Sequence, residues 1–334
     1  MDKSLNMYKL NNSMRVFMNT NIWQRLERHG FPSLASKAMQ RKKYGDRIIH
    51  DNKWTNMHIS EMVMSDKPCM VSRFGLTEMN FLCSYLENKN NNTSATRAGL
   101  EDAMNRLCLL SGFFPNNLAL GQQFAEVYFD SIPELDLCGV WNLYMEDYVL
   151  DKYASYCQLT RLGCLEPWNA EDVRPWSFAL AQKKVLVIHP FEETIKKQYS
   201  KHMEIFSNKF RYEDILPDFE LKTIKAVQSL GGEHNRFDNW FEALNSMVEQ
   251  AKQTDFDVAI IGCGAYGMPL AAAIKKMGKK AIHLGGSTQL MFGIWGHRWD
   301  QIPGASELLN DAWVRPSDNE KPRRANEVED GCYW

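Results

Sequence analysis

Four short runs place chemistry-bearing side chains beside predicted strand ends. Gly262-Cys263-Gly264-Ala265-Tyr266-Gly267 fits G-x-G-x-x-G, after a buried-type strand and at the start of a helix. Glycines there let the backbone turn tightly and approach a ligand, while the free helix N–H groups attract an anion. Close strand–helix packing demands glycine at the same places. NAD would call for an acid about 20 residues further on, but the next strand ends His283-Leu284-Gly285-Gly286 without one. S-adenosylmethionine domains place such a turn first in the sheet, whereas only 67 residues follow Gly267. A nucleotide diphosphate or a sugar hydroxyl suits this position better.

The second run is Ser72-Arg73-Phe74-Gly75-Leu76-Thr77-Glu78. Arg73 is expected at the carboxyl end of a strand and Glu78 one turn into the next helix. Ligands bind at that edge of an open parallel sheet. The planar fork of Arg suits phosphate, and Glu suits a metal or a sugar hydroxyl; an Arg–Glu ion pair tethering the turn is the plainer alternative. His189 likewise ends a strand, before Pro190-Phe191-Glu192-Glu193. There it is either a general base or hydrogen-bond donor, or a satisfied core histidine. The last run is Gly285-Gly286-Ser287-Thr288-Gln289, followed by Trp295, Arg298 and Trp299. It can form the wall of a sugar or nucleotide pocket, with indole faces stacking on sugar C–H surfaces or bases. Alternatively both Trp simply close the core.

These side chains need a scaffold, and the hydrophobic pattern supplies one. Strands are predicted at Met70–Phe74, Lys184–His189, Leu221–Ala226, Asp257–Gly262 and Ala281–Gly286. Helices are predicted at about 75–87, 95–110, 193–209, 240–253 and 268–277, with a polar loop at Asn88–Thr93 between the first two. Residues 117–163 mix helical and extended patterns and resist division. Strands alternating with helices give an α/β fold: an open, mostly parallel, Rossmann-like sheet with helices on both faces, plus an N-terminal helical extension. Residues 19–44 read as one or two short helices broken at Gly30-Phe31-Pro32. From about Pro316 the chain is charged and reads as a mobile tail. The organisation is thus 1–56 basic helical extension, 57–315 α/β domain carrying the candidate site, and 316–334 charged flexible tail.

Composition narrows the function classes. The 334 residues carry 39 Lys plus Arg against 41 Asp plus Glu, for a net charge of −2. Residues 1–50 hold ten cations and three acids, leaving 29 cations against 38 acids in the rest. An acidic body repels phosphate over most of its surface, which excludes a nucleic-acid binder. The run Arg41-Lys42-Lys43 is a solvated helix face or a contact for an anionic membrane or acidic glycan. Eight cysteines, none in a Cys-x-x-Cys pair, read as buried reduced thiols of a cytosolic protein rather than a zinc site or disulfide framework. The N-terminus has no secretory signal pattern. Val258–Ile274 is uncharged for seventeen residues, yet its glycines and Pro269 favour a strand, a turn and a buried helix over a membrane span.

The order of these motifs resembles the GT-D fold glycosyltransferases, bacterial enzymes that use nucleotide-sugar donors to build surface polysaccharides. The resemblance covers about residues 57–300 and rests on Arg73-Phe74-Gly75 with Glu78, a strand ending in His189, and Asp257 to Gly286. It implies transfer of a sugar to a glycan or lipid-linked acceptor. Arg73, Gly75, Gly262, Gly264, Tyr266, Gly267, Gly285, Gly286, Gln289 and Arg298 would bind the donor, and Glu78 with His189 or Glu192 would do the catalysis. The family run is R-F-G-D-G-E, whose Asp and Glu hold a divalent metal (Mn or Mg). Here Leu76 and Thr77 stand at the Asp and Gly positions, leaving Glu78 as the single candidate ligand. One carboxylate holds such an ion poorly unless substrate phosphates complete its shell. Either the metal is weak or absent and Arg73 neutralises the diphosphate, or donor use has changed. A nucleotide-sugar-binding protein without catalysis is the alternative of the same fold. A methyltransferase or NAD-dependent enzyme ranks behind both. With a lipid-linked acceptor, residues 1–50 would hold a cytoplasmic enzyme at the inner membrane face.

Overall fold

The computed structural model describes residues 2–11, 43–170, 172–209, 211–230, 236–302, 305–327 and 331–334. Their centre is a nine-stranded sheet in the order β1-β2-β5-β4-β3-β9-β8-β6-β7. The strands are β1 (Lys43–Tyr44), β2 (Arg47–His50), β3 (Cys69–Ser72), β4 (Leu137–Val140), β5 (Gln158–Arg161), β6 (Lys184–His189), β7 (Glu220–Lys225), β8 (Val258–Ile261) and β9 (Lys280–His283). Only the β1–β2 pair is antiparallel among these; the rest of the ladder is parallel.

The strands are short and apolar because both faces are covered. Alternate residues sort into two cores: Met70, Leu186, Ile188, Ala259 and Ala281 enter one, and Val71, Val185, Val187, Ile260 and Ile282 the other. That split is the two-residue strand period read out in packing. The first core is roofed by α3 (Leu76–Asn90), α4 (Ser94–Ser111), α5 (Leu118–Ser131), α8 (Trp240–Gln253) and α9 (Gly267–Lys276). The second is covered by α2 (Asn52–Met64), α7 (Glu192–Tyr199) and α10 (Ser287–Met291). Two further helices, α1 (Lys3–Asn11) and α6 (Glu146–Tyr153), lie together at the first face, joined by the Tyr8 hydroxyl donating to Asp147 at 2.8 Å.

Local chemistry sets the helix ends. Asn117 accepts from the Ala119 and Leu120 N–H groups to start α5, and Asn239 accepts from Glu242 N–H to start α8. Gly112 ends α4 in the left-handed region at φ 78°. In α8 the buried Trp240, Ala243, Leu244, Met247 and Ala251 recur at helical spacing. All eight cysteines are free thiols, six of them buried, as the sequence suggests. No helix among the described residues is long and apolar enough to cross a membrane.

Three expectations change. The helices expected over 19–44 lie largely outside the described residues, and what is described of residues 43–56 is not a separate extension. There β1 and β2 turn at Gly45 and complete one edge of the sheet, and α2 begins at Asn52. The helix expected over 193–209 stops at Tyr199 and resumes as the single turn His202–Ile205, a break that seats Ile205 and Phe206 in the second core. Residues 316–334 are no mobile tail where described: Glu320, Cys332 and Trp334 are buried. The start of α7 has no side-chain cap of its own, and Glu320 supplies one. It accepts from the Glu193 N–H at 2.8 Å and from the Thr194 N–H and hydroxyl. One charge of this segment, Glu320, serves as a cap, and its apolar residues are concentrated at 332–334.

Candidate active site

From β3 the chain winds outward through β4 to β5, and from β6 outward to β7, while β8 and β9 return to the middle. The winding direction therefore reverses where β3 meets β9. Outside the carboxyl ends of β3, β9, β8 and β6 lies a cavity of about 290 Å³. An open α/β sheet has its ligand crevice at such a reversal.

Arg73 follows the last residue of β3. Its guanidinium carbon lies 4.9 Å from the centre of the Trp141 ring, a cation–π distance, and the Trp141 N–H donates to the Phe74 carbonyl at 3.0 Å. Its Nε is buried without a partner, and no ion pair joins it to Glu78 among the described residues. Burial lowers its pKa, and the negative charge of Glu78 works against that. Across the crevice Gly285 stands with φ at 64°, and a side chain there would begin 3.5 Å from the Arg73 stem.

Glu78, 5% exposed, folds its carboxylate back over Gly75. A Cβ on Gly75 would sit 1.8 Å from Glu78 Oε2. Gly75 caps α3 without any side chain, so the acid covers the positive end of that helix. Thr77 donates to Oε2 at 3.0 Å, and its hydroxyl also meets that of Ser111.

His189 ends β6 buried at the cavity, its Nδ1 accepting from the Phe191 N–H at 3.0 Å. Burial pulls its pKa down to about 3, so it is neutral. With Nδ1 occupied as an acceptor, the proton of the neutral ring belongs on Nε2. His189 therefore presents a donor to the cavity, not the lone pair of a base. Glu192 is not in the cavity lining. Its carboxylate takes the Lys196 ammonium at 2.6 Å and the Thr223 hydroxyl at 2.5 Å, contacts that outweigh burial and keep its pKa below the usual value. Of the two roles open to His189, this geometry suits the hydrogen-bond donor, and Glu192 lies outside the cavity lining.

The three glycines of the 262–267 run divide by function. A Cβ on Gly262 would meet Thr288 Oγ1 at 2.5 Å, and one on Gly267 would meet His283 Nε2 at 2.1 Å. Gly264, with φ at 57°, packs against the Ser111 carbonyl. Gly262 and Gly264 line the cavity and Gly267 does not. Tyr266 lines it while stacking on Trp240 with centroids 5.1 Å apart and planes at 9°.

The remaining expected residues also gather here. Gly75, Gly285, Gly286, Gln289 and Arg298 all line the cavity. The Arg298 guanidinium donates to the Tyr333 hydroxyl at 2.9 Å. Trp295 and Trp299 are buried in the second core instead, closing the fold rather than walling the pocket. Their expected place is taken by Trp141 and Trp334, which the sequence reading did not select. It also passed over His283, whose Nδ1 lies 2.8 Å from the Ser72 hydroxyl and whose pKa burial and Arg73 bring down to about 3. The signal was present: His283 ends a strand as His189 does. Trp141 follows a four-residue strand in the segment that resisted division.

The electrostatic balance is plain. Among the described residues Arg73, Arg106 and Arg298 line the cavity with one acidic side chain, Glu78; Arg106 is already paired with Asp102 at 3.0 Å, and both histidines are neutral. The site favours an anion. Among the described residues Glu78 is the one acidic side chain in the lining, Leu76 brings no donor, and no cluster of three metal-binding side chains occurs.

No protein family matches the chain, and no curated protein does. Among solved structures it is similar to a highly conserved domain of unknown function 1792 described as having a distinct glycosyltransferase fold, with TM-score 0.43 and 9% identity over 86% of this chain and 96% of that one. A selenomethionine-substituted structure of domain of unknown function 1792 gives TM-score 0.44 at the same identity and coverage.

Proposed function

We propose that this chain is a glycosyltransferase that moves a sugar from a nucleotide-sugar donor to a glycan or lipid-linked acceptor. One observation carries the reading. A buried guanidinium with an unpartnered Nε stands at the carboxyl end of the central strand, beside an indole face and across from a glycine turn. In this reading Arg73 and Arg298 take the donor diphosphate, and the Nε2–H of His189 donates to the same ligand. The acceptor oxygen bonds to the anomeric carbon as the bond from that carbon to the diphosphate oxygen breaks. The electron pair leaves with the diphosphate, where guanidinium charge stabilises it. The acceptor proton passes to Glu78, the acid in the lining. No step requires a metal ion. The basic residues 1–50 are proposed as an attachment to an anionic membrane face that carries the acceptor.

Transfer and hydrolysis assays with a panel of nucleotide sugars test this. Loss of a stabilising donor costs ~10²–10³-fold in turnover, so Arg73→Ala should fall by that order. Removal of a general base costs ~10²–10⁴-fold, the range expected for Glu78→Gln. Undiminished turnover in both variants sinks the assignment. Leu76 at a position where a metal-binding acid was expected favours a second reading, a non-catalytic nucleotide-sugar binder. Thermal stabilisation by a nucleotide sugar without turnover on any acceptor would select it.

A further inference from the structure

A buried polar atom left without a partner costs ~1–3 kcal/mol, so native proteins rarely leave one unexplained. Among the described residues five such side-chain atoms occur, and three belong to residues lining the cavity: Arg73 Nε, Gln289 Oε1 and Trp334 Nε1. Arg73 belongs to the anion site already described. Gln289 and Trp334 do not, and they meet where the Tyr333 carbonyl accepts from the Gln289 amide.

Neither atom is free to find a partner by turning. The Gln289 amide nitrogen donates to the Ile294 carbonyl at 3.2 Å and the Tyr333 carbonyl at 3.3 Å. Flipping the amide would set its oxygen against two carbonyl oxygens, so Oε1 must remain the unpaired end. Trp334 is 5% exposed and held edge-on between Phe191 and Tyr333, with centroids 5.9 Å away in each case. The pair therefore offers one fixed acceptor and one fixed donor. A phosphate or carboxylate satisfies the donor and leaves Gln289 unpaired. An ammonium does the reverse. A hydroxyl both donates and accepts, so it suits either atom, and a ring bearing several hydroxyls carries both functions.

We infer that Gln289 and Trp334 form a hydroxyl-reading subsite that recognises the sugar of the ligand, beside the guanidinium groups that take its phosphates. The inference rests on the glycosyltransferase reading and adds which residues distinguish a nucleotide sugar from the bare nucleotide. Residues 331–334 are thereby part of the binding wall. Tyr333 links the two halves, its carbonyl on Gln289 and its hydroxyl on Arg298.

The test is calorimetric. UDP-, GDP- and dTDP-hexoses are titrated beside the matching nucleoside diphosphates into wild type, Trp334→Phe and Gln289→Met, with thermal melts to show that each variant is folded. Trp334→Phe keeps an aromatic ring and removes only the N–H. One net hydrogen bond corresponds to a loss of ~5–10-fold. Trp334→Phe should weaken the nucleotide sugar by that factor while leaving the nucleoside diphosphate unchanged, and Gln289→Met should do the same. An unchanged preference for the sugar-bearing ligand, or equal weakening of both ligands, overturns the subsite and leaves the glycosyltransferase reading standing. If wild type binds neither class of ligand, that reading fails and the subsite with it.

Discussion

Adding one methyl group at Gly75 separates the position of Glu78 from its presence. The Cβ of Gly75→Ala would fall 1.8 Å from Glu78 Oε2, 2.4 Å from its carboxyl carbon and 2.8 Å from Oε1. All three atoms are the far end of a flexible side chain, so the carboxylate swings away and the backbone stays. The local geometry, φ −75° and ψ 151°, is open to alanine. Losing an acid over the first turn of α3 costs ~0.3–1 kcal/mol. The stiffer unfolded chain returns ~0.4–1 kcal/mol. Stability should therefore change by less than ~1 kcal/mol in a urea titration. Turnover should fall by ~10²–10⁴-fold, the cost of a base removed from the reacting hydroxyl. The double variant Gly75→Ala/Glu78→Gln isolates the cause, because groups that act as one unit are not additive. It should be no slower than Glu78→Gln alone. A further drop would mean that the methyl itself obstructs the ligand. Full activity in Gly75→Ala would refute the placement of Glu78 at the chemistry.

Gly267→Ala should act on the fold instead. Its methyl would meet the buried His283 ring at 2.1 Å, with loss of the contact to Ser72, costing ~1–3 kcal/mol by overpacking; a shift in the urea midpoint worth under ~0.5 kcal/mol would contradict this. His189→Gln, which keeps a donor, should retain activity within about tenfold, whereas His189→Leu should lose ~10²-fold; equal losses would restore the base role. With its folded pKa at about 3 and its unfolded value near 6.5, His189 binds more protons when unfolded across that window, so its contribution to stability rises with pH between those limits and is flat above; His189→Gln should flatten that slope in unfolding midpoints measured from pH 4 to 7. Chelation should leave nucleotide-sugar binding to the wild type unchanged, and Leu76→Asp should make it respond to added Mn²⁺ or Mg²⁺; a chelator-sensitive wild type would reverse that reading.

The sequence was most legible where strand and helix periods follow one another without interruption. The helix at Trp240–Gln253 and the strands at 184–189, 258–261 and 280–283 stand where periodicity and glycines place them. β4 (Leu137–Val140) and β5 (Gln158–Arg161) did not show: they are no shorter than β8 and β9, but they lie among aromatic neighbours with no long apolar run or glycine motif to mark them. Arg73, Glu78 and the 262–264 turn were visible because strand ends advertise themselves by a change of residue type. Trp141 was lost with β4. Tyr333 and Trp334 were hidden by the charged residues before them, which read as a solvated tail until Glu320 is seen capping α7. The roles of His189 and Glu192 turned on hydrogen bonds to Phe191, Lys196 and Thr223, partners that spacing along the chain does not reveal.

The place of β3 in the sheet also has a bearing on how the molecule comes into being. One of its edges pairs with β4, the other with residues 280–283. A ribosome working at ~5–20 residues per second delivers β9 roughly 7–28 s after β4. Through that interval the nascent chain holds a strand with one edge bare, a template for pairing with the wrong partner. Arg73 and the glycine turn face each other only after β9 arrives. The cavity is therefore complete only once the last strand of the sheet is in place.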